Sequence, residues 1–216
     1  MVDMADDIPP LNLFMMCAEL DRQALRSLPD GYSIRNCRKS EYQAWKDLHI
    51  DLPEQADAYN KVLDEYFDLV YSPKGDLFFE RCAFVCDVSD TPVGTCMIWP
   101  AYGGVSTLHW LKVRPIHEDK GLGRALMSYL LAGLSADDYP VYLHTHPSSY
   151  RAIKLYSDFG FKLITDRQVG FRVNDLQESL PILERYMPAA DFQRLGFVQA
   201  PPGFLQAALQ TEYEQF

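Results

Sequence analysis

Three groups of residues have types and spacing that could do chemistry. The first is Glu118-Asp119-Lys120-Gly121-Leu122-Gly123-Arg124, a polar loop with two glycines. It leads into apolar residues at helical spacing: Leu122, Ala125, Leu126, Tyr129, Leu130 and Leu134. A glycine-bearing loop that opens a helix aims unpaired backbone N–H groups and the positive end of the helix dipole at one point. That is an anion cradle, suited to a phosphate or pyrophosphate. The second group is His144-x-His146, two imidazoles on one face of a strand. They read either as satisfied strand histidines or as two metal ligands. No third His, Cys or carboxylate stands at metal-ligand spacing, so no metal is expected. The third is Tyr156, among apolar residues at helical spacing. The pattern alone assigns it to the core, yet a buried tyrosine hydroxyl needs a polar partner.

The elements that must position these groups follow from periodicity. Leu111 and Val113 alternate with Lys112 as the end of a strand over Val105–Val113, and Pro115 terminates it. Tyr102-Gly103-Gly104 turns the chain from a preceding strand, Val93–Tyr102, in which Gly94 marks a close backbone approach. A third strand is expected over Phe78–Val88. After the glycine loop come a helix to about Leu134, a strand Val141–His146, a helix from Ser149 to Phe159 ended by Gly160, and a strand Phe161–Thr165. A further strand fits Val169–Val173. Upstream, a strand fits Tyr32–Arg38, followed by helices over Glu41–Leu52 and Asp57–Leu69. The second of these turns Tyr59, Val62, Leu63, Tyr66 and Phe67 inward. The apolar spacing of Leu11–Leu28 predicts an N-terminal helix behind an acidic leader at residues 1–10.

Composition narrows the class. The chain has 216 residues, 48% of them hydrophobic, enough for one generous domain, or one domain with an appendage, with a real core. A net charge of −10 disfavours nucleic acid and is compatible with attracting a cationic or amine substrate. The five cysteines form no Cys-x-x-Cys pair and read as buried reduced thiols. With no secretory signal and no apolar run near the ~20 residues that span a bilayer, a cytoplasmic protein without membrane attachment is expected.

Two familiar glycine loops are excluded. Leu126 stands where a Rossmann fingerprint needs its third glycine, and there is no Gly-x-x-x-x-Gly-Lys-Ser/Thr run. The stretch Val113-Arg114-Pro115 with Gly121-x-Gly123 resembles instead the acyl-CoA pyrophosphate loop of the GNAT superfamily of N-acyltransferases. That pattern is Arg/Gln-x-x-Gly-x-Gly/Ala after a Val-x-Pro strand end. Here Glu118 occupies the Arg/Gln position, with Asp119 beside it. Two carboxylates near a pyrophosphate cost Coulomb energy, which Lys120, Arg124 and Arg114 can offset. A second stretch, Ser149-Tyr150-Arg151-Ala152-Ile153-Lys154-Leu155-Tyr156-Ser157-Asp158-Phe159-Gly160-Phe161, is similar to the family's Asn-x-x-Ala-x-x-Leu-Tyr-x-x-x-Gly-Phe. Ala152, Leu155, Tyr156, Gly160 and Phe161 match in register, and Ser149 replaces the Asn.

The resemblance covers residues 31–174 and implies an α/β fold: a mixed, mostly antiparallel twisted sheet with one parallel pair, flanked by helices. Residues 1–30 then form an N-terminal leader and helix. Residues 175–216 form a C-terminal helical extension packed on the domain or on a partner, with a homodimer possible. Acetyl-CoA is the implied co-substrate, in the cleft where strands Val105–Val113 and Val141–His146 diverge. Main-chain groups of Leu111 and Val113 would pair with its pantetheine, residues Glu118, Asp119, Lys120, Gly121, Leu122, Gly123 and Arg124 would hold its pyrophosphate, and Ser149 would bond the pantetheine or its own helix end. The family's tyrosine acts as general acid, a role that falls on Tyr156 here. In ribosomal-protein N-acetyltransferases a Glu five residues before the Asn is the base, and that position is His144. His109 is the alternative base, and Thr107 stands where some relatives carry a catalytic Glu. The expected reaction is transfer of an acetyl group to a small-molecule or peptide amine by direct attack. The alternatives are a non-catalytic acyl-CoA-binding module and a partner-dependent protein.

Overall fold

The computed structural model describes residues 8–211, 213, 215 and 216. The first seven residues of the acidic leader therefore lie outside the described residues. In chain order the elements are β1 (Leu13–Cys17), β2 (Ser33–Asn36), α1 (Tyr42–Asp47), α2 (Ala56–Tyr66), α3 (Leu77–Arg81), β3 (Ala83–Cys86), β4 (Pro92–Ala101) and β5 (Val105–Val113). Then follow α4 (Leu122–Ala132), β6 (Val141–Thr145), α5 (Tyr150–Asp158), β7 (Lys162–Ile164), β8 (Gln168–Val169), β9 (Arg172–Val173), α6 (Leu176–Tyr186), α7 (Ala189–Phe192), β10 (Phe197–Val198) and α8 (Pro202–Leu209). Eight strands hydrogen-bond in the order β10-β7-β1-β6-β5-β4-β3-β2, and β8 pairs with β9 in a separate ribbon. The fold is α/β with a mixed, mostly antiparallel sheet flanked by helices. The chain divides into two compact units, and β4 and β5 contribute residues to both.

One unit comprises residues 1–24, 100–107 and 134–216. The predicted helix over Leu11–Leu28 is instead the strand β1, followed by a short 3-10 turn. All five of its residues are buried. It is antiparallel to β6 on one side, Phe14 opposite His144, and to β7 on the other, Met15 opposite Leu163. A strand covered on both faces has no polar alternation, so its continuous apolar run gives no period-2 signal. The expected single parallel pair becomes two. Thr107 of β5 pairs in parallel with Tyr142 of β6, and β10 of the C-terminal segment adds parallel to β7. Residues after 175 therefore supply a strand as well as helices. Gly160 closes α5 with φ +95°, and a Cβ there would lie 2.7 Å from the Glu19 carbonyl oxygen. Only glycine fits, which accounts for the Gly-Phe of the second motif.

The other unit comprises residues 25–99 and 108–133. Trp45 on α1 has no exposed surface and packs edge-on against Phe78, Tyr71 and Trp110. Helix α2 buries Leu63 but leaves Tyr59 and Val62 exposed, correcting the inward face expected for both. The helix gives way to one π-type turn, Phe67–Tyr71, which brings Val70 and Tyr71 into the core. The strand expected from Phe78 begins only at Ala83, because Leu77–Arg81 closes a helical turn in which the Cys82 N–H bonds the Phe78 carbonyl. At Gly94 a Cβ would meet the Lys112 carbonyl oxygen at 2.8 Å, the close approach expected from sequence.

Candidate active site

The glycine loop begins where β5 ends. Trp110 has φ +55°, a left-handed kink within the strand, and Leu111, Lys112 and Val113 beyond it are half-buried. Arg114 donates its backbone N–H to Val93, and Pro115–His117 makes one 3-10 turn. Asp119 and Gly121 then both take left-handed φ, +58° and +78°, and Gly121 is the N-cap of α4. Alternation of this kind turns successive N–H groups toward one side. Nothing lies within 4 Å of where a Gly121 Cβ would be, so the approach to the loop is open. The helix starts at Leu122, whose side chain is core, so only its backbone N–H can serve a ligand. Tyr129 of the same helix is exposed.

Charge around the loop decides whether it can hold a diphosphate. Glu118, Asp119, Lys120 and Gly121 are exposed, so the two carboxylates sit in water, where their repulsion of an anion is weakened. The Lys120 ammonium donates to the Ile116 carbonyl at 3.1 Å, which keeps its charge over the 3-10 turn. Arg114 carries a buried Nε with no hydrogen-bond partner among the described residues. A buried guanidinium N–H without an acceptor fits a missing anion. The buried Arg114 Nε, the Lys120 ammonium and the α4 N–H groups are donors of the kind a diphosphate would take.

His144, His146 and Tyr156 belong to the unit containing β6. His144 lies between two polar partners: its Nε2 is 3.0 Å from Asn12 Oδ1, and its Nδ1 is 3.1 Å from Arg172 Nη1. A guanidinium can only donate, so Nδ1 must accept, and the ring proton sits on Nε2, donated to Asn12. Asn12 in turn donates its backbone N–H to Asp175 at 2.8 Å, and Arg172 also donates to the Phe216 backbone oxygen at 2.6 Å. The only lone pair of the neutral ring is thus occupied. Burial, then the Arg172 charge and His146, push the His144 pKa down to about 2. In this arrangement both ring nitrogens of His144 are engaged. His109, in the other unit, is engaged as well. It is buried with Nδ1 2.6 Å from the Tyr71 hydroxyl, itself accepting the Trp110 indole N–H at 2.7 Å, and burial followed by Lys74 lowers its pKa to about 3.

His146 differs. Its Nδ1 donates to the Leu11 carbonyl oxygen at 2.9 Å, which leaves the lone pair on Nε2. Its ring packs edge-on to that of His144, with centroids 4.8 Å apart. Among the described residues no group of three His, Cys, Asp or Glu side chains is placed to hold a metal ion. Tyr156 is buried on α5, with its ring 6.0 Å from Phe161. Ser149 stands at the N-cap of α5 without making the side-chain cap bond, so its hydroxyl is left for another partner. Sequence reasoning missed Asn12 and Arg172, which are 132 and 28 residues from His144 and belong to no motif.

A family model described as "Acetyltransferase (GNAT) family" matches residues 42–161, more than half of the chain. This chain belongs to the GNAT acetyltransferase family. The matched span holds both motifs, the glycine loop and the Tyr156 helix, while β1 and everything after Phe161 fall outside it. Among solved structures, a tandem GNAT protein from the clavulanic acid biosynthesis pathway is 14% identical with a TM-score of 0.51, covering 72% of this chain and 50% of that one. A GCN5-related N-acetyltransferase-like protein from Streptococcus suis is 12% identical with a TM-score of 0.50, covering 73% of this chain and 59% of that one. Likeness at this identity supports the GNAT fold alone. The chain spans about half the length of such structures, 44% for a GCN5-related N-acetyltransferase from Sphaerobacter thermophilus. No curated protein matches the chain at a significant level. Among the described residues, no helix is long and apolar enough to cross a membrane.

Proposed function

We propose that this GNAT protein is an N-acetyltransferase that moves an acetyl group from acetyl-CoA to a primary amine, on a small molecule or a peptide, by direct attack. The observation that carries the reading is the loop at 118–124. It pairs left-handed Asp119 and Gly121 with the start of α4, and the buried Arg114 Nε nearby lacks an acceptor. In this reading acetyl-CoA supplies an activated thioester carbonyl. Main-chain groups of Leu111 and Val113 align its pantetheine in the manner of an added strand.

The proton inventory assigns the other roles. As the nitrogen–carbon bond forms and the carbon–sulfur bond breaks, one proton must leave nitrogen and one must reach sulfur. His146 Nε2 takes the first, because its lone pair has no partner among the described residues. Tyr156 gives its hydroxyl proton to the departing sulfur. His144 serves as a positioning residue that holds Asn12 and Arg172. Five buried free thiols accord with a reducing compartment, so cytosolic residence is part of the proposal.

Steady-state CoA release against an amine panel tests this. His146→Gln should lower kcat by about 100-fold, with activity recovering as pH rises and the amine deprotonates itself. His144→Gln should change kcat far less. Loss confined to His144→Gln would overturn the assignment. Acetyl-CoA binding without turnover on any amine would favour a non-catalytic binding module.

A further inference from the structure

Helix α2 carries more apolar surface than its unit covers. Leu63 is fully buried, and Tyr66 packs its ring edge-on against Tyr71 and Trp110. Tyr59 and Val62 are left open, as are Leu52 ahead of the helix and Leu69 in the π-type turn behind it. These four side chains keep 45–57% of their surface exposed. Tyr59, Val62, Tyr66 and Leu69 follow one another at intervals of three, four and three residues, the spacing of a seam along one side of a helix. Single exposed apolar residues are ordinary, but a row of them along one side of an element marks an interaction surface.

The charge around the seam selects what can lie on it. Residues 51–69 hold six carboxylates and a single ammonium, Lys61. Asp51 is paired with Lys112 and Asp64 with Lys46. Glu54, Asp57 and Asp68 are exposed and form no ion pair among the described residues. Glu65, three residues after Val62 and four before Leu69, borders the seam directly. Its 3.9 Å pairing with Lys61 joins two largely exposed side chains, a contact weak enough for another cation to displace. Such a surround repels both a second copy of the same face and an anionic lipid surface, because like charges opposed across an interface cost energy. A cationic partner is attracted.

We propose that the exposed side of α2 docks a basic amphipathic helical segment of another protein. Its apolar side chains would lie against Tyr59, Val62 and Leu69, and its Lys or Arg side chains would meet Glu65 at the border and Glu54 ahead of the helix. The apolar anchors supply affinity, and the charges set encounter rate, register and choice of partner. The inference goes beyond acetyl transfer and does not depend on it.

The test is an NMR titration of the full chain, without CoA, with three synthetic peptides of three heptads each. The first has Leu at positions a and d and Lys at e and g, the second replaces Lys by Glu, and the third replaces Leu by Ser. The first should give saturable shifts at residues 52–69, with each of the others at least about tenfold weaker. Val62→Ser, at an exposed position, should weaken the first peptide about tenfold without altering thermal unfolding. Glu65→Lys should weaken it severalfold and strengthen the Glu peptide. Equal affinity for the Glu or the Ser peptide, saturation elsewhere in the chain, or no saturable shift up to about a millimolar would each overturn the proposal. So would self-association of the chain, or binding to phosphatidylserine vesicles, that Val62→Ser abolishes, because either would give the face a different occupant.

Discussion

Acidification should destabilise this protein well above the carboxylate range, and three histidines set the size of the effect. His144 is held neutral between Asn12 and Arg172, and burial keeps His49 and His109 neutral as well. Their folded pKa values are lowered to about 2, about 3 and about 3. In the unfolded chain each returns to about 6.5. Below that value the unfolded state binds three protons that the folded state does not, so stability is present above pH 6.5 and is lost as pH falls toward 3. Each histidine contributes a slope of up to about 1.4 kcal/mol per pH unit, or about 2 kcal/mol between pH 7 and 5. Three together give about 6 kcal/mol, comparable with the whole stability of many domains. Glu41, Asp64 and Asp90, lowered chiefly by Arg35, Lys46 and Arg35 respectively, add to the loss only below about pH 4. Urea unfolding followed by tryptophan fluorescence at pH 7, 6 and 5 measures the slope, and His144→Gln should remove about a third of it. A loss under about 2 kcal/mol between pH 7 and 5 would refute the reasoning. So would an NMR spectrum placing the His144 proton on Nδ1.

Three further outcomes are expected. Gly160→Ala forces a Cβ within 2.7 Å of the Glu19 carbonyl oxygen at φ +95°, and should cost about 3 kcal/mol in chemical denaturation. Truncation after residue 175 removes β10 from its parallel pairing with β7 and the Phe216 acceptor of Arg172, so the shortened chain should lose cooperative thermal unfolding. Tyr156→Phe should leave the circular dichroism spectrum unchanged while lowering kcat/KM for amine acetylation by about 100-fold or more.

Much of the site's frame was legible because its residues obey local rules. Gly121, Gly160 and Gly94 each announce a backbone requirement, and the structure supplies one at every position: a left-handed N-cap, a left-handed turn against Glu19, and a close approach to Lys112. Strand Val105–Val113 and the helices after the two motifs follow from strong periodicity and clear stops. The failures are non-local. β1 reads as part of a helix because a strand buried on both faces loses its alternation, and only its pairing with β6 and β7 explains why it is extended. The surroundings of His144 were illegible for a related reason. Its chemistry is decided by Asn12 and Arg172, which the fold delivers from β1's edge and from the β8–β9 ribbon. Spacing along β6 could identify an imidazole; it could not show that the lone pair was already in use.

The most direct measurement of the central claim is calorimetric titration of the full chain with acetyl-CoA, with CoA release then followed in the presence of amines. Saturable binding that weakens on Arg114→Met, with stoichiometric formation of acetylated amine and CoA, is the result expected. Failure of acetyl-CoA to bind would mean that Glu118 and Asp119 outweigh the loop's N–H groups and cations, and would contradict the account.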